Sequence, residues 1–257
     1  MMKTNPQLKP RHTHSASVTP NPDGGWRLSI PAGPRGVYRL AQLDDYSWLP
    51  RRRFPYAPTL VLALRARVSA PDLPGTWGFG LWNDPFGLAV GFGGTAWRLP
   101  APPQTAWFFH ASPPNHLALS DDIPGNGFYA GTFRSPRLVT LLLAPAALGL
   151  PLLAIRPLSR LMRRVAARIA RQDSTSIPDD VTAWHTYRIE WEINSCRFLL
   201  DDRLVLDTPH FPRAPLALVI WIDNQYAAWT PDGRLAWGTL ANPDAWLEID
   251  SLAIEQK

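Results

Sequence analysis

Between Trp184 and Tyr226 apolar and polar positions alternate with a period of two. Tyr187, Ile189, Trp191 and Ile193 fall on one face, and Arg188, Glu190 and Glu192 on the other. This is the pattern of a half-buried strand rich in β-branched and aromatic residues. Asn194-Ser195 turns the chain, Cys196–Leu200 runs back, and Asp201-Asp202 turns it again into Leu204–Leu206. A further apolar run, Leu216–Ile222, ends in Asp223-Asn224-Gln225-Tyr226. Strands joined by short polar turns predict an antiparallel meander.

The same period recurs upstream. Trp26–Ile30 follows an Asp23-Gly24-Gly25 turn, and Val37–Gln42 is a further short strand. Thr59–Ser69 sets Leu60, Leu62 and Leu64 against Val61, Ala63 and Arg65. In Thr76–Trp82, Trp77, Phe79 and Leu81 share one face while Gly78 and Gly80 open the other to close approach by a backbone or a ligand. Leu88–Phe92, Ala96–Leu99, Thr105–His110 and Phe128–Phe133 are further predicted strands, and Leu138–Ala144 fits another strand of a sandwich. No repeat of fixed period is visible.

One segment breaks the pattern. Leu138–Ile155 is uncharged for eighteen residues, but Pro145, Gly149 and Pro151 make it a poor membrane-spanning helix. Ser159–Gln172 reads as an amphipathic helix with Leu158, Leu161, Met162, Val165 and Ile169 in one stripe. Arg156, Arg160, Arg163, Arg164 and Arg171 fall opposite. Three readings follow: a helix lying in an anionic membrane surface, with Arg160 and Arg164 among its contacts; a helix packing its stripe on the sandwich and showing arginine to water; or an oligomer contact through the apolar insertion.

Composition narrows the class. The chain has 257 residues, 46% of them hydrophobic, enough for a sizeable core. The 28 prolines favour short strands and ordered loops. The net charge is +5, and the arginine excess is partly concentrated in one segment rather than spread as a nucleic-acid face, so no nucleic-acid partner is expected. Cys196 is the only cysteine, which fits a reducing compartment. Residues 1–25 hold no apolar core of the signal-peptide kind and read as a flexible tail. Residues 26–257 read as one domain with an apolar and basic helical insertion at about 145–175, located in the cytoplasm and peripheral to the membrane.

Several stretches also resemble a known family. The strand His185-x-Tyr-x-Ile-x-Trp191, the turn segment at 197–205 (Arg-Phe-Leu-Leu-Asp-Asp-Arg-Leu-Val) and Pro215-Leu-x-Leu-x-Ile-Trp-Ile-Asp-Asn224 resemble the C-terminal half of glycoside hydrolase family 16. That family comprises the laminarinase and lichenase type enzymes of the concanavalin A-like lectin/glucanase superfamily. Trp246–Ile254 is similar to its closing strand, and Gly75–Trp82 to the glycine- and tryptophan-rich strand before its active site. The resemblance implies an all-β jelly-roll sandwich of two antiparallel sheets with one helical insertion.

The resemblance does not extend to the catalytic carboxylates. Retaining glycosidases need two carboxyl groups about 5–5.5 Å apart, which this family supplies from one strand as Glu-x-Asp-x-(x)-Glu. No Asp or Glu lies between Asp84 and Asp121, and Thr105–His110 carries Trp107, Phe108, Phe109 and His110 where the carboxylates are expected. The expected site is a cleft lined by Trp77, Phe79, Trp107, Phe108, Trp221 and Asp223, taking a glycan, a glycolipid or a hydrophobic small molecule. Asp223 and His110 are the acid/base pair it offers. Asp121-Asp122 sits in a turn signal, Glu190 and Glu192 share an outer face, and His110, His116, Asp121 and Asp122 match no metal-ligand spacing, so neither metal nor cofactor is expected. The leading expectation is a non-hydrolytic ligand-binding protein. The alternative is an enzyme: a divergent glycoside hydrolase with relocated carboxylates, or another reaction on an apolar substrate using Asp223 and His110.

Overall fold

The computed structural model describes residues 2–4, 6–13, 15–22, 24–85, 98, 101–123, 125–136 and 153–256. In chain order the strands are β1 (Met2–Thr4), β2 (Lys9–His12), β3 (Ser17–Pro20), β4 (Trp26–Ile30), β5 (Leu40–Asp44), β6 (Leu60–Val68), β7 (Thr76–Trp82), β8 (Gln104–Ala111) and β9 (Gly127–Arg134). Helix α1 (Arg156–Ile169) follows. Then come β10 (Arg171–Ser176), β11 (His185–Trp191), β12 (Cys196–Leu200), β13 (Arg203–Thr208), β14 (Ala217–Asp223), β15 (Gln225–Trp229), β16 (Leu235–Thr239) and β17 (Ala245–Gln256).

Two antiparallel sheets are stacked face to face. The first runs β13-β12-β11-β6-β17-β4-β3, with β1 also paired to β17. The second runs β10-β9-β8-β7-β14-β5-β2, and β15 and β16 form a separate hairpin. The jelly-roll sandwich expected from the sequence is the observed architecture.

The alternation explains the stacking. In β6, Leu60, Leu62, Leu64, Ala66 and Val68 are buried while the residues between them are half-exposed. Tyr187, Ile189 and Trp191 of β11 face the same interior, and Glu190 points outward, held by Arg188 and Arg197. From the second sheet, Trp77, Phe79, Phe108, Ile220 and Ile222 complete the layer between the sheets. Each fully buried large side chain contributes about 1.5–3 kcal/mol through area removed from water. Cys196 lies in this interior, and burial pushes its thiol well above the ordinary range.

Four expectations are corrected. Ile193 lies beyond the end of β11 and is exposed, so the inward face ends at Trp191. Leu216–Ile222 does not extend the β11–β13 meander but crosses to the second sheet, between β7 and β5. The stretch at 1–25 contributes β2 to one sheet and β3 to the other instead of standing as a loose tail. Of the expected insertion, the described residues form a helix at 156–169, and β10 then adds an edge to the second sheet. The predicted strands at 88–92 and 96–99 and the apolar run at 138–152 lie outside the described residues.

Helix α1 also turns a different side inward than its apolar stripe predicts. Ser159 and Arg163, one turn apart, are its buried residues. Trp229 Nε1 donates to Ser159 Oγ at 3.0 Å. Arg163 Nε donates to the Trp229 carbonyl at 2.9 Å, Nη2 to the Ala118 carbonyl at 2.9 Å, and Nη1 to Asp121 Oδ1 at 2.5 Å. A guanidinium with this many fixed acceptors is worth burying. Its docking leaves Leu161, Val165 and Ile169 at 54%, 44% and 38% exposure.

Candidate functional site

A cavity of about 580 Å³ opens on the face of the second sheet turned away from the first, against the β15–β16 hairpin. The strand registers decide which residues reach it. Asp223 pairs with Thr76, Trp221 with Gly78 and Val219 with Gly80 across β14 and β7. Gly78 pairs with Phe109 and Gly80 with Trp107 across β7 and β8. These positions share one face, and the intervening ones face the core.

The glycines of β7 therefore serve neighbouring indoles. A Cβ on Gly78 would come within 2.9 Å of Trp221 Cη2 and 2.5 Å of the Phe108 carbonyl oxygen. One on Gly80 would lie 2.7 Å from the Trp107 Cβ. Without side chains at Gly78 and Gly80, Trp221 and Trp107 fold across β7, with ring centroids 5.8 Å apart. Trp82 stacks on Trp221 at 6.5 Å and 8°, and Phe109 lies 4.8 Å from Trp107. The result is an aromatic wall held by edge and offset contacts.

Asp223 is the carboxylate of the cavity lining among the described residues, and it is only 6% exposed. Its Oδ1 accepts from Thr76 Oγ1 at 2.8 Å, Gln225 N at 3.1 Å and Thr76 N at 3.3 Å. Its Oδ2 accepts from the Tyr38 hydroxyl at 3.3 Å. Burial raises the carboxyl to about 6, and these hydrogen bonds hold it from rising further. Burial and the neighbouring Asp223 charge push the Tyr38 phenol well above its ordinary range, so it stays a donor. Among the other cavity groups, Trp107 Nε1 and Thr105 Oγ1 are buried and have no hydrogen-bond partner among the described residues.

Of the residues singled out in the sequence, Trp107, Trp221 and Asp223 line the cavity. Trp77, Phe79 and Phe108 do not: they sit between the sheets, with Phe79 and Phe108 against Tyr187. His110 is on that same inner side, stacked on Trp77 at 5.4 Å, with Nε2 3.3 Å from the Leu73 carbonyl. Burial lowers its pKa. Asp223 and His110 thus lie on opposite faces of the sheet, and the expected acid/base pair is not assembled. Tyr38, which also donates to Asp223, lies just before β5, within the strand expected at 37–42, and nothing in the sequence marked it as a site residue. His116 lines the cavity, with Nε2 3.4 Å from Arg163 Nη2. No group of three or more metal-ligating side chains is gathered among the described residues.

No protein-family model matches the chain, and no curated protein matches it in sequence. Solved structures do match in shape. The Bacillus licheniformis β-glucanase superposes with a TM-score of 0.50 at 10% identity, covering 99% of this chain and 94% of that one. LamA_E269S from Z. galactanivorans, in complex with laminaritriose and laminaritetraose, gives 0.50 at 14% identity, with 99% and 95% covered. A GlcNAcα1-4Gal-releasing endo-β-galactosidase from Clostridium perfringens gives 0.51 at 12%, with 93% of this chain and 53% of that one covered. The leading expectation of a non-hydrolytic binding protein is corrected here, because two of these structures of the same architecture are named as glycoside-cleaving enzymes, a β-glucanase and an endo-β-galactosidase. In fold, the chain is similar to the jelly-roll glucanases of glycoside hydrolase family 16.

Proposed function

We propose that this protein is an enzyme, a divergent glycoside hydrolase in which Asp223 is the acid/base carboxyl. The reading rests on one observation: a buried carboxyl raised to about 6 stands in an aromatic cavity. A carboxyl in that range is half protonated near pH 6, where it donates and recovers a proton with little driving force lost. Indole faces accept the C–H faces of a pyranose ring. Trp107 Nε1 and Thr105 Oγ1 need acceptors, which sugar oxygens supply and a hydrocarbon does not.

The machinery departs from the two-carboxylate scheme of the resembled family. The other carboxylate on this face, Asp44, pairs with Val219, four ladder positions from the site of Asp223. That is about 13 Å at strand spacing, too far for either glycosidase geometry. Asp44 is also occupied by Gln42 Nε2 at 2.8 Å and by the Ser47 and Tyr46 backbone. One carboxyl therefore does both tasks. Protonated Asp223 gives its proton to the glycosidic oxygen as the C–O bond breaks. Water adds to the anomeric carbon, and its released proton returns to the Asp223 carboxylate.

The cavity's predominantly indole and aliphatic walls favour a second reading, proton transfer by Asp223 on a non-sugar apolar substrate. Wild-type protein and Asp223→Asn are assayed on β-glucans and aryl glycosides, with product analysis. Hydrolysis that falls about 100-fold or more in the variant is the expected result. Turnover that survives Asp223→Asn removes Asp223 from the mechanism. No release of sugar from any glycoside sinks the hydrolase reading.

A further inference from the structure

We infer that helix α1 docks this protein on an anionic lipid surface, lying in the headgroup region with its Leu161–Val165–Ile169 ridge inserted. This surface is separate from the cavity and does not rest on the proposed enzymatic reading.

The ridge is built of large apolar side chains left 38–54% exposed, with Ile155 at 54% just before the helix. An apolar helix face in water is costly unless something covers it. Charge identifies the cover. Residues 156–171 contain six arginines and no acidic residue. Only Arg163 is consumed inside the protein. Arg156, Arg160, Arg164 and Arg168 have no ion pair among the described residues; the Arg160 guanidinium reaches only the Asp232 carbonyl, at 3.4 Å. Beyond the helix, Arg213 and Arg171 lie close enough to Arg134 to act on it: burial first, then these two charges, lowers the Arg134 pKa. An apolar ridge beside unneutralised arginines fits acyl chains beneath phosphate headgroups, with the arginine stems reaching up to them. A soluble polyanion would satisfy the charge and leave the ridge wet.

Length sets the mode. Fourteen helical residues span about 21 Å, short of the roughly 30 Å hydrocarbon core. No described helix is long and apolar enough to cross a membrane. The buried Ser159 and Arg163 keep the opposite side of α1 tied to the protein, so the helix presents its ridge without detaching.

The test uses the full chain with vesicles of phosphatidylcholine alone and of phosphatidylcholine mixed with phosphatidylglycerol. Binding to the mixed vesicles only, weakened by salt, is expected. Arg164→Gln and Arg168→Gln should each weaken it about fivefold, and Leu161→Ser with Val165→Ser and Ile169→Ser about tenfold or more. Because these side chains are exposed, the melting temperature should hold. Four results overturn the inference: no binding to mixed vesicles; binding that survives loss of the ridge, which is charge attraction alone; a melting temperature that falls with the ridge variants while binding holds, which means the chain covers its own ridge; or a change of sedimentation mass with no change in lipid binding, which makes a second copy the occupant.

Discussion

Trp221 and Asp223 share one face of β14, and the Thr76 hydroxyl joins them. Trp221 Nε1 donates to Thr76 Oγ1 at 3.0 Å, and that oxygen donates to Asp223 Oδ1 at 2.8 Å. An indole of the cavity wall and the cavity's acid are thus fixed by one side chain. Thr76→Val keeps the shape and removes the bridge. It should cost about 1–3 kcal/mol in denaturant unfolding, since both buried partners lose a bond. It should also raise the Asp223 pKa, moving the alkaline limb of any activity profile upward, while Thr76→Ser restores it.

Asp223 makes stability fall as pH rises. The folded protein holds this proton more tightly than the unfolded chain, because burial raises the carboxyl to about 6. Its contribution is fully present below the ordinary carboxylate value and is lost as pH climbs from about 4 through about 6. Asp45, also raised to about 6 by burial, acts in the same direction. The shift is worth at most about 3 kcal/mol per group. Melting temperatures across this window should fall for wild type, and less for Asp223→Asn.

Gly78→Ala tests the packing of the wall. Its methyl group would meet Trp221 Cη2 at 2.9 Å and a backbone carbonyl at 2.5 Å, and the carbonyl cannot move aside. A cost of about 1–3 kcal/mol is expected from overpacking. Near-UV circular dichroism should change as Trp221 is displaced.

Thr105→Val separates stability from binding. The Thr105 hydroxyl is buried without a partner, so replacing it should leave the melting temperature unchanged or raise it. If the group awaits a substrate oxygen, KM should rise several-fold with kcat little altered.

Arg163→Met should loosen α1. The two carbonyls, Trp229 and Ala118, lose a charged donor, costing about 2 kcal/mol. Limited proteolysis within residues 156–170 should speed up relative to cleavage elsewhere.

Much of the sandwich was legible, because a strand between two sheets must alternate. Leu60–Val68 alternates without a break and forms the strand its pattern predicts. In β7 the two faces were readable, but not which one met the cavity. Trp77 and Phe79 looked like ligand contacts, yet the glycine face is the open one, because neighbouring indoles need its space. His110 failed for the same reason, being one register step from the cavity face. The orientation of α1 was hidden because one buried arginine with several fixed acceptors outweighs an apolar stripe, and those acceptors come from distant residues. Tyr38 was invisible because its role depends on β5 and β14 being neighbours in space.

The core position of Cys196 gives the molecule a practical property. Its single thiol is sealed between the sheets and held protonated, so alkylating reagents and dye maleimides find nothing native to attack. A cysteine engineered at Trp237, which borders the cavity and is 69% exposed, would be the sole reactive handle in the chain. A dye attached there would report on the hollow, and the same dye on α1 would report on lipid, each free of background from the native sequence.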